Sequence, residues 1–99
     1  MIAALCGKTV AITGATGAIA QAAGVALARD GAHLALLARR KDGVEAAAAA
    51  IHAEVPNARI TTIVADCTDE AAVKAGLAQA HGVAGRLDAI FATVGGGGF

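Results

Sequence analysis

Thr9-Val10-Ala11-Ile12-Thr13-Gly14-Ala15-Thr16-Gly17-Ala18-Ile19-Ala20 is the stretch whose reading decides the fold. Its first five residues carry no charge and read as a short strand buried on both faces. Gly14 to Gly17 then reads as a turn, its two glycines permitting positive φ and close approach of a ligand to the backbone. Beyond it, Ile19, Ala22, Ala23, Ala26 and Leu27 recur at helical spacing. A strand running through a glycine turn into a helix presents free N–H groups and a positive dipole end to an anion such as a pyrophosphate. The competing reading is an ordinary strand-to-helix turn. Thr9 to Ala28 is also 20 residues without a charge, the length of a membrane span. The glycine turn in its middle is a poor interior for a lipid-facing helix, so a membrane span is not expected.

Working outward, the hydrophobic period keeps switching. Arg29-Asp30-Gly31 ends the first helix, with Gly31 suited to a left-handed cap. His33 to Ala38 is a second apolar strand. Val44, Ala47, Ala48, Ile51 and Val55 mark a second helix, which Pro56-Asn57 stops. Arg59 to Val64 is a β-branched third strand. Asp66-Cys67-Thr68-Asp69 leads into a third helix, with Thr68 or Asp69 as its N-cap and Val73, Leu77 and Ala80 on its inner face; Gly82 to Gly85 closes it. Leu87 to Ala92 is a fourth strand. The order β-α-β-α-β-α-β implies an α/β fold: a Rossmann-like, three-layer, partial doubly wound parallel sheet with right-handed crossovers. No domain boundary and no internal repeat interrupt residues 1–99.

Three further features bear on a site. Arg39-Arg40-Lys41 follows the second strand, where a dinucleotide site commonly places an acid for the ribose 2′-OH. The first acid here is Asp42. Arginines at that position suit a 2′-phosphate instead, which favours NADP over NAD; the alternative is a solvated basic loop. Asp66, at the end of the third strand, can accept from an adenine amino group or serve only the helix-entry turn. Gly95, beyond the fourth strand, is placed to border a cofactor or is a plain loop glycine.

Composition limits the chemistry. The 99 residues include no Ser and no Tyr, so neither a Ser nucleophile nor a Tyr acid comes from this chain. Eight basic and eight acidic side chains argue against nucleic acid or an anionic membrane surface as partner. His33, His52 and His81 lie on separate elements, and no metal site is expected. Cys6 and Cys67 form no close-spaced pair and fit free thiols in a reducing, cytoplasmic setting. No basic region precedes a signal-like apolar core.

From Gly7 to Gly95 the chain resembles the N-terminal part of the short-chain dehydrogenase/reductase family. Gly7-Lys8-Thr9-Val10-Ala11-Ile12-Thr13-Gly14 is similar to its first strand and turn, and Leu37-Ala38-Arg39-Arg40 to the NADP-preferring end of its second strand. Asp66-Cys67-Thr68-Asp69 resembles its adenine-contact segment, and Gly85-Arg86-Leu87-Asp88 its entry to the fourth strand. The resemblance implies the strand order 3-2-1-4 and an NADP(H) site built from Gly14, Thr16, Gly17, Ala18, Ile19, Arg39, Arg40, Asp66, Cys67 and Gly95. It also shows departures. The family's TGxxxGxG has glycines where Ala18 and Ala20 stand here, and its Asn-Asn-Ala-Gly is Ala92-Thr93-Val94-Gly95. Its catalytic Ser and Tyr-x-x-x-Lys pair lie beyond the matched region, so no residue carries over as catalytic.

Two functions follow as expectations. One is the nucleotide-binding portion, with the catalytic half absent, of an NADP-dependent oxidoreductase that transfers hydride between nicotinamide and a carbonyl or alcohol. The other is a non-catalytic NADP-binding or assembly module on a half-Rossmann unit. In either case the fourth strand is an apolar open edge, and self-association through it is expected.

Overall fold

Short apolar or β-branched runs extend, and the longer alanine-rich segments between them form helices. In the computed structural model, which describes residues 5–92, four strands and three helices alternate. They are β1 (Thr9–Thr13), α1 (Ala18–Arg29), β2 (His33–Ala38), α2 (Lys41–Glu54), β3 (Arg59–Val64), α3 (Glu70–Ala84) and β4 (Ala89–Ala92). The strands form one parallel sheet in the order β3-β2-β1-β4. The chain thus moves outward from β1 to β3, then crosses back to β4, which leaves the switch point between β1 and β4.

The two faces are covered unequally. α1 and α2 pack on one face, burying Val10, Ile12, Leu34, Leu36, Val44 and Ile51. α3 covers the other, over Ala11, Ala35, Leu37, Ile63 and Ala65. β1 is therefore buried along its whole length, and so is β2 after the half-buried His33. All four residues of β4 are exposed, because the strand has a neighbour on one side alone among the described residues.

The helix ends follow their local chemistry. Gly31, at φ 92°, closes α1 in the left-handed conformation. Asp69 caps α3, its carboxylate accepting the Ala71 and Ala72 N–H groups, and Gly85 at φ 80° ends that helix. α3 runs through Gly82 rather than stopping there, because the residue that takes the left-handed cap is Gly85. Val55 caps α2 instead of belonging to it, as expected of a residue before proline.

The buried face of α1 differs from the expected one. Ala20, Gly24 and Ala28 point inward, while Ile19 is 74% exposed and Ala22 and Ala26 are also exposed. On an alanine-rich helix several faces satisfy the apolar period, and the smallest residues win where α1 packs most closely against its neighbours, here α2. Gly24 makes this approach possible: a Cβ there would lie 2.7 Å from Ile51 Cδ1. Gly76 does the same for α3, where a Cβ would lie 2.8 Å from Leu37 Cδ2.

At the starting ends of β1 and β4 the sheet is tied by a carboxylate. Asp88 Oδ2 accepts the Thr9 N–H at 2.7 Å, and the Thr9 carbonyl accepts the Asp88 N–H at 2.8 Å. Arg86 grips the same carboxylate with two N–H groups, at 2.8 and 2.6 Å. Together, the Arg86 hydrogen bonds first and the Thr9 amide second, they lower the Asp88 pKa to about 2.

Candidate functional site

The opposite ends of the strands frame a cavity of about 270 Å3, lined by Gly14, Thr16, Ala38, Arg39, Cys67 and Thr68. Each comes from a loop or strand end at the carboxyl edge of the sheet, where open α/β sheets bind ligands. Gly14 turns the chain out of β1 at φ 65°, a conformation that Ala would resist. Gly17 does not share that role: it is the N-cap of α1, extended at φ −77°. The expectation of positive φ at both glycines is therefore corrected to Gly14 alone.

α1 begins at Ala18 without a side-chain cap and without an acid in its first turn. Ala18 and Ile19 are exposed there. A helix start left in this state favours an anion. Ala20, at a position where the family has glycine, is 1% exposed and sits within the core beside Ile12. One turn on, α1 comes close to α2 at Gly24, where a Cβ would lie 2.7 Å from Ile51 Cδ1.

Cys67 joins three strand ends. Its Sγ accepts the Gly14 N–H at 3.4 Å and lies 3.8 Å from the Leu37 carbonyl and 3.7 Å from that of Ala65. The thiol can donate to one of these carbonyls while accepting from Gly14. Backbone bonds reinforce the frame: Ala15 N–H donates to Leu37 O at 3.1 Å, and Ala65 N–H to Ala38 O at 2.8 Å.

Asp66 is half-buried beside this cavity. One oxygen accepts the Thr68 hydroxyl at 2.6 Å and the Thr68 amide at 2.9 Å. These two hydrogen bonds, with a smaller contribution from the Arg39 charge, hold its pKa below the ordinary carboxylate value. The carboxylate therefore stays ionised and able to accept a further proton donor. Arg40 is the N-cap of α2, and its Nε lies 3.5 Å from Asp42 Oδ1.

The fold thus gathers Gly14, Thr16, Arg39 and Cys67 around one cavity, with Asp66 at its side, Gly17, Ala18 and Ile19 at the adjoining helix start, and Arg40 at the next helix start. Gly95 lies outside the described residues. Thr68 and Ala38 also line the cavity. The Asp-x-Thr pattern at 66–68, typical of a turn closed by side-chain hydrogen bonds, was the signal for Thr68. A larger hollow of about 510 Å3 lies along the outer side of α1, between Ala18 and the Arg29–Glu54 ion pair. It has neither a glycine turn nor a strand end. Among the described residues no group of three His, Cys, Asp or Glu side chains is placed to hold a metal ion. No helix there is long and apolar enough to cross a membrane.

The sequence profile of the short chain dehydrogenases matches residues 8–99. The chain belongs to this family. It is 38% identical over 88 residues to levodione reductase of Leifsonia aquatica, spanning 89% of this chain and 33% of that protein. A crystal structure of levodione reductase superimposes with a TM-score of 0.80 at 36% identity, covering 87% of this chain and 33% of the other. The crystal structure of NAD+-bound xylitol dehydrogenase gives a TM-score of 0.77 at 29% identity, over 87% and 32% of the two chains. The chain thus spans about a third of the length of these relatives.

Proposed function

We propose that residues 1–99 bind NADP(H) in preference to NAD(H), as the nucleotide-binding part of an oxidoreductase. The observation that carries this reading is the cavity at the carboxyl ends of β1, β2 and β3, with Gly14 in its wall, Arg39 on its lining and the uncapped start of α1 beside it. That arrangement fits a dinucleotide in three places. The turn at Gly14 and the first turn of α1, Gly17 to Ile19, would take the pyrophosphate. Arg39 and Arg40 would pair with a 2′-phosphate, and Asp66 would accept from the adenine amino group. Cys67 would position the Gly14 turn. When bound, the nicotinamide supplies a hydride acceptor or donor for a carbonyl or alcohol substrate. Gly95 would border the nicotinamide side. The free thiols of Cys6 and Cys67 support a reducing, cytoplasmic setting.

Titration calorimetry with NADPH and NADH tests this reading. Binding of NADPH tighter than NADH, with the difference shrinking at high salt, is the expected result. A folded chain that binds neither dinucleotide would overturn it.

A further inference from the structure

The two arginines beside the cavity are not equivalent. Arg39 lines it, with the Asp66 charge near enough to be felt. Arg40 is engaged elsewhere: its Nε faces Asp42 Oδ1 at 3.5 Å, and the same oxygen accepts the Gly43 N–H at 2.9 Å. Asp42 is thereby fixed at the start of α2, where the helix dipole favours a negative charge. This helix start touches the glycine turn: a Cβ on Gly43 would lie 3.0 Å from Thr16 Cγ2, and Thr16 lines the cavity. Asp42 is thus one residue from the contact that joins α2 to the cavity wall.

We infer that Asp42 is a specificity-determining residue, which restrains Arg40 and tempers the corner's preference for a 2′-phosphate so that NADH is accepted alongside NADPH. The inference rests on the dinucleotide reading above. A 2′-phosphate must draw Arg40 away from Asp42 and must sit near an acid fixed by a backbone N–H. A free 2′-hydroxyl meets no such repulsion, and it finds in Asp42 an acceptor. The acid that usually serves this hydroxyl at the end of the second strand is missing here, since Ala38 and Arg39 occupy that place. Both Arg40 and Asp42 are about three-quarters exposed, so the effect is modest and sensitive to salt.

The test is the ratio of NADPH to NADH affinity, measured by calorimetry at constant low ionic strength. Asp42→Asn removes the charge and keeps an acceptor for the Gly43 N–H. It should shift the ratio toward NADPH by about two- to fivefold, the range of an exposed ion pair. The shift should shrink in the Arg40→Gln background, because the restraint on Arg40 is then gone and only the direct repulsion by Asp42 remains. Glu45→Gln, the same change of charge at another exposed site on α2, should leave the ratio within about 1.5-fold. A ratio unmoved by Asp42→Asn, or moved equally by Glu45→Gln, would overturn the inference while leaving the dinucleotide reading intact. Loss of all binding by the folded parent chain would instead remove both.

Discussion

Replacing Gly24 by Ala sets helix propensity against packing, and the structure says which wins. An Ala in mid-helix is favoured over Gly by about 1 kcal/mol. The new methyl, however, would stand 2.7 Å from Ile51 Cδ1, 3.5 Å from Ile51 Cγ1 and 3.6 Å from Ile12 Cδ1. The first contact is impossible without movement, and Ile51 is 1% exposed, enclosed by the α1–α2 side of the core. Turning it off its rotamer costs about 0.5–1.5 kcal/mol, and overpacking a filled core costs about 1–3. Gly24→Ala should therefore be between neutral and about 2 kcal/mol destabilising. Ile51→Val deletes the atom responsible. On its own it should cost about 0.5–1.5 kcal/mol. In that background the nearest remaining Ile51 atom is the one at 3.5 Å, an ordinary contact, and Gly24→Ala should stabilise by about 1 kcal/mol. Urea unfolding of the four proteins should thus give a favourable coupling of about 1–3 kcal/mol, well above the additivity error of about 0.5. Far-UV circular dichroism is the suitable signal, because the chain has neither Trp nor Tyr. A Gly24→Ala protein about 1 kcal/mol more stable than the parent, or a coupling below about 0.5, would refute the close-approach argument.

Other expectations follow from the same structure. Asp88 has a folded pKa of about 2 against an ordinary 3.8, so its contribution is full above 3.8 and fades as pH falls toward 2. Asp88→Asn should accordingly flatten the acid limb of stability against pH between those values; an unchanged limb in acid titrations of unfolding would count against the Thr9–Asp88–Arg86 tie. Asp69→Ala should cost about 1 kcal/mol in urea unfolding by uncapping α3, and Asp69→Asn should retain most of it; equal losses would argue against the cap. The exposed edge of β4, with Ile90 50% and Phe91 37% exposed, should drive self-association at tens of micromolar, and Ile90→Lys should reduce it. A monodisperse monomer of the parent chain in sedimentation would contradict this.

The backbone plan was legible because short-range chemistry and long-range packing agree. β1 and β2 fall where the uncharged apolar runs stand, since central parallel strands need apolar residues on both faces, and the edge strand β3 follows its β-branched run. Asp69 and Gly85 behave as caps because capping depends on few neighbours. The inner face of α1 was not legible. Ala20, Ala22, Ala23, Ala26 and Ala28 offer no contrast around the helix, so the choice falls to the distance between α1 and Ile51, a tertiary quantity. The cavity was legible in outline from Gly14, Arg39 and the Asp66 segment, which all follow strand ends. The pairing of Arg40 with Asp42 was not, because a basic triplet before an acid gives no hint of which side chain turns back.

The Asp88 tie and the Gly14 cavity sit at opposite ends of one strand. From Thr9 to Gly14 is five residues, about 16 Å at the usual strand rise. That exceeds both the range over which mutational effects couple, about 7–10 Å, and the screening length of about 8 Å in physiological salt. The sheet therefore separates two tasks along its length. Substitutions at Arg39, Arg40 and Asp42, the corner proposed above to read the nucleotide, should add to changes at the Arg86–Asp88 end without interference. An engineer could strengthen one end to tolerate losses at the other, and treat the proposed cofactor choice and the foldedness of this chain as independent variables.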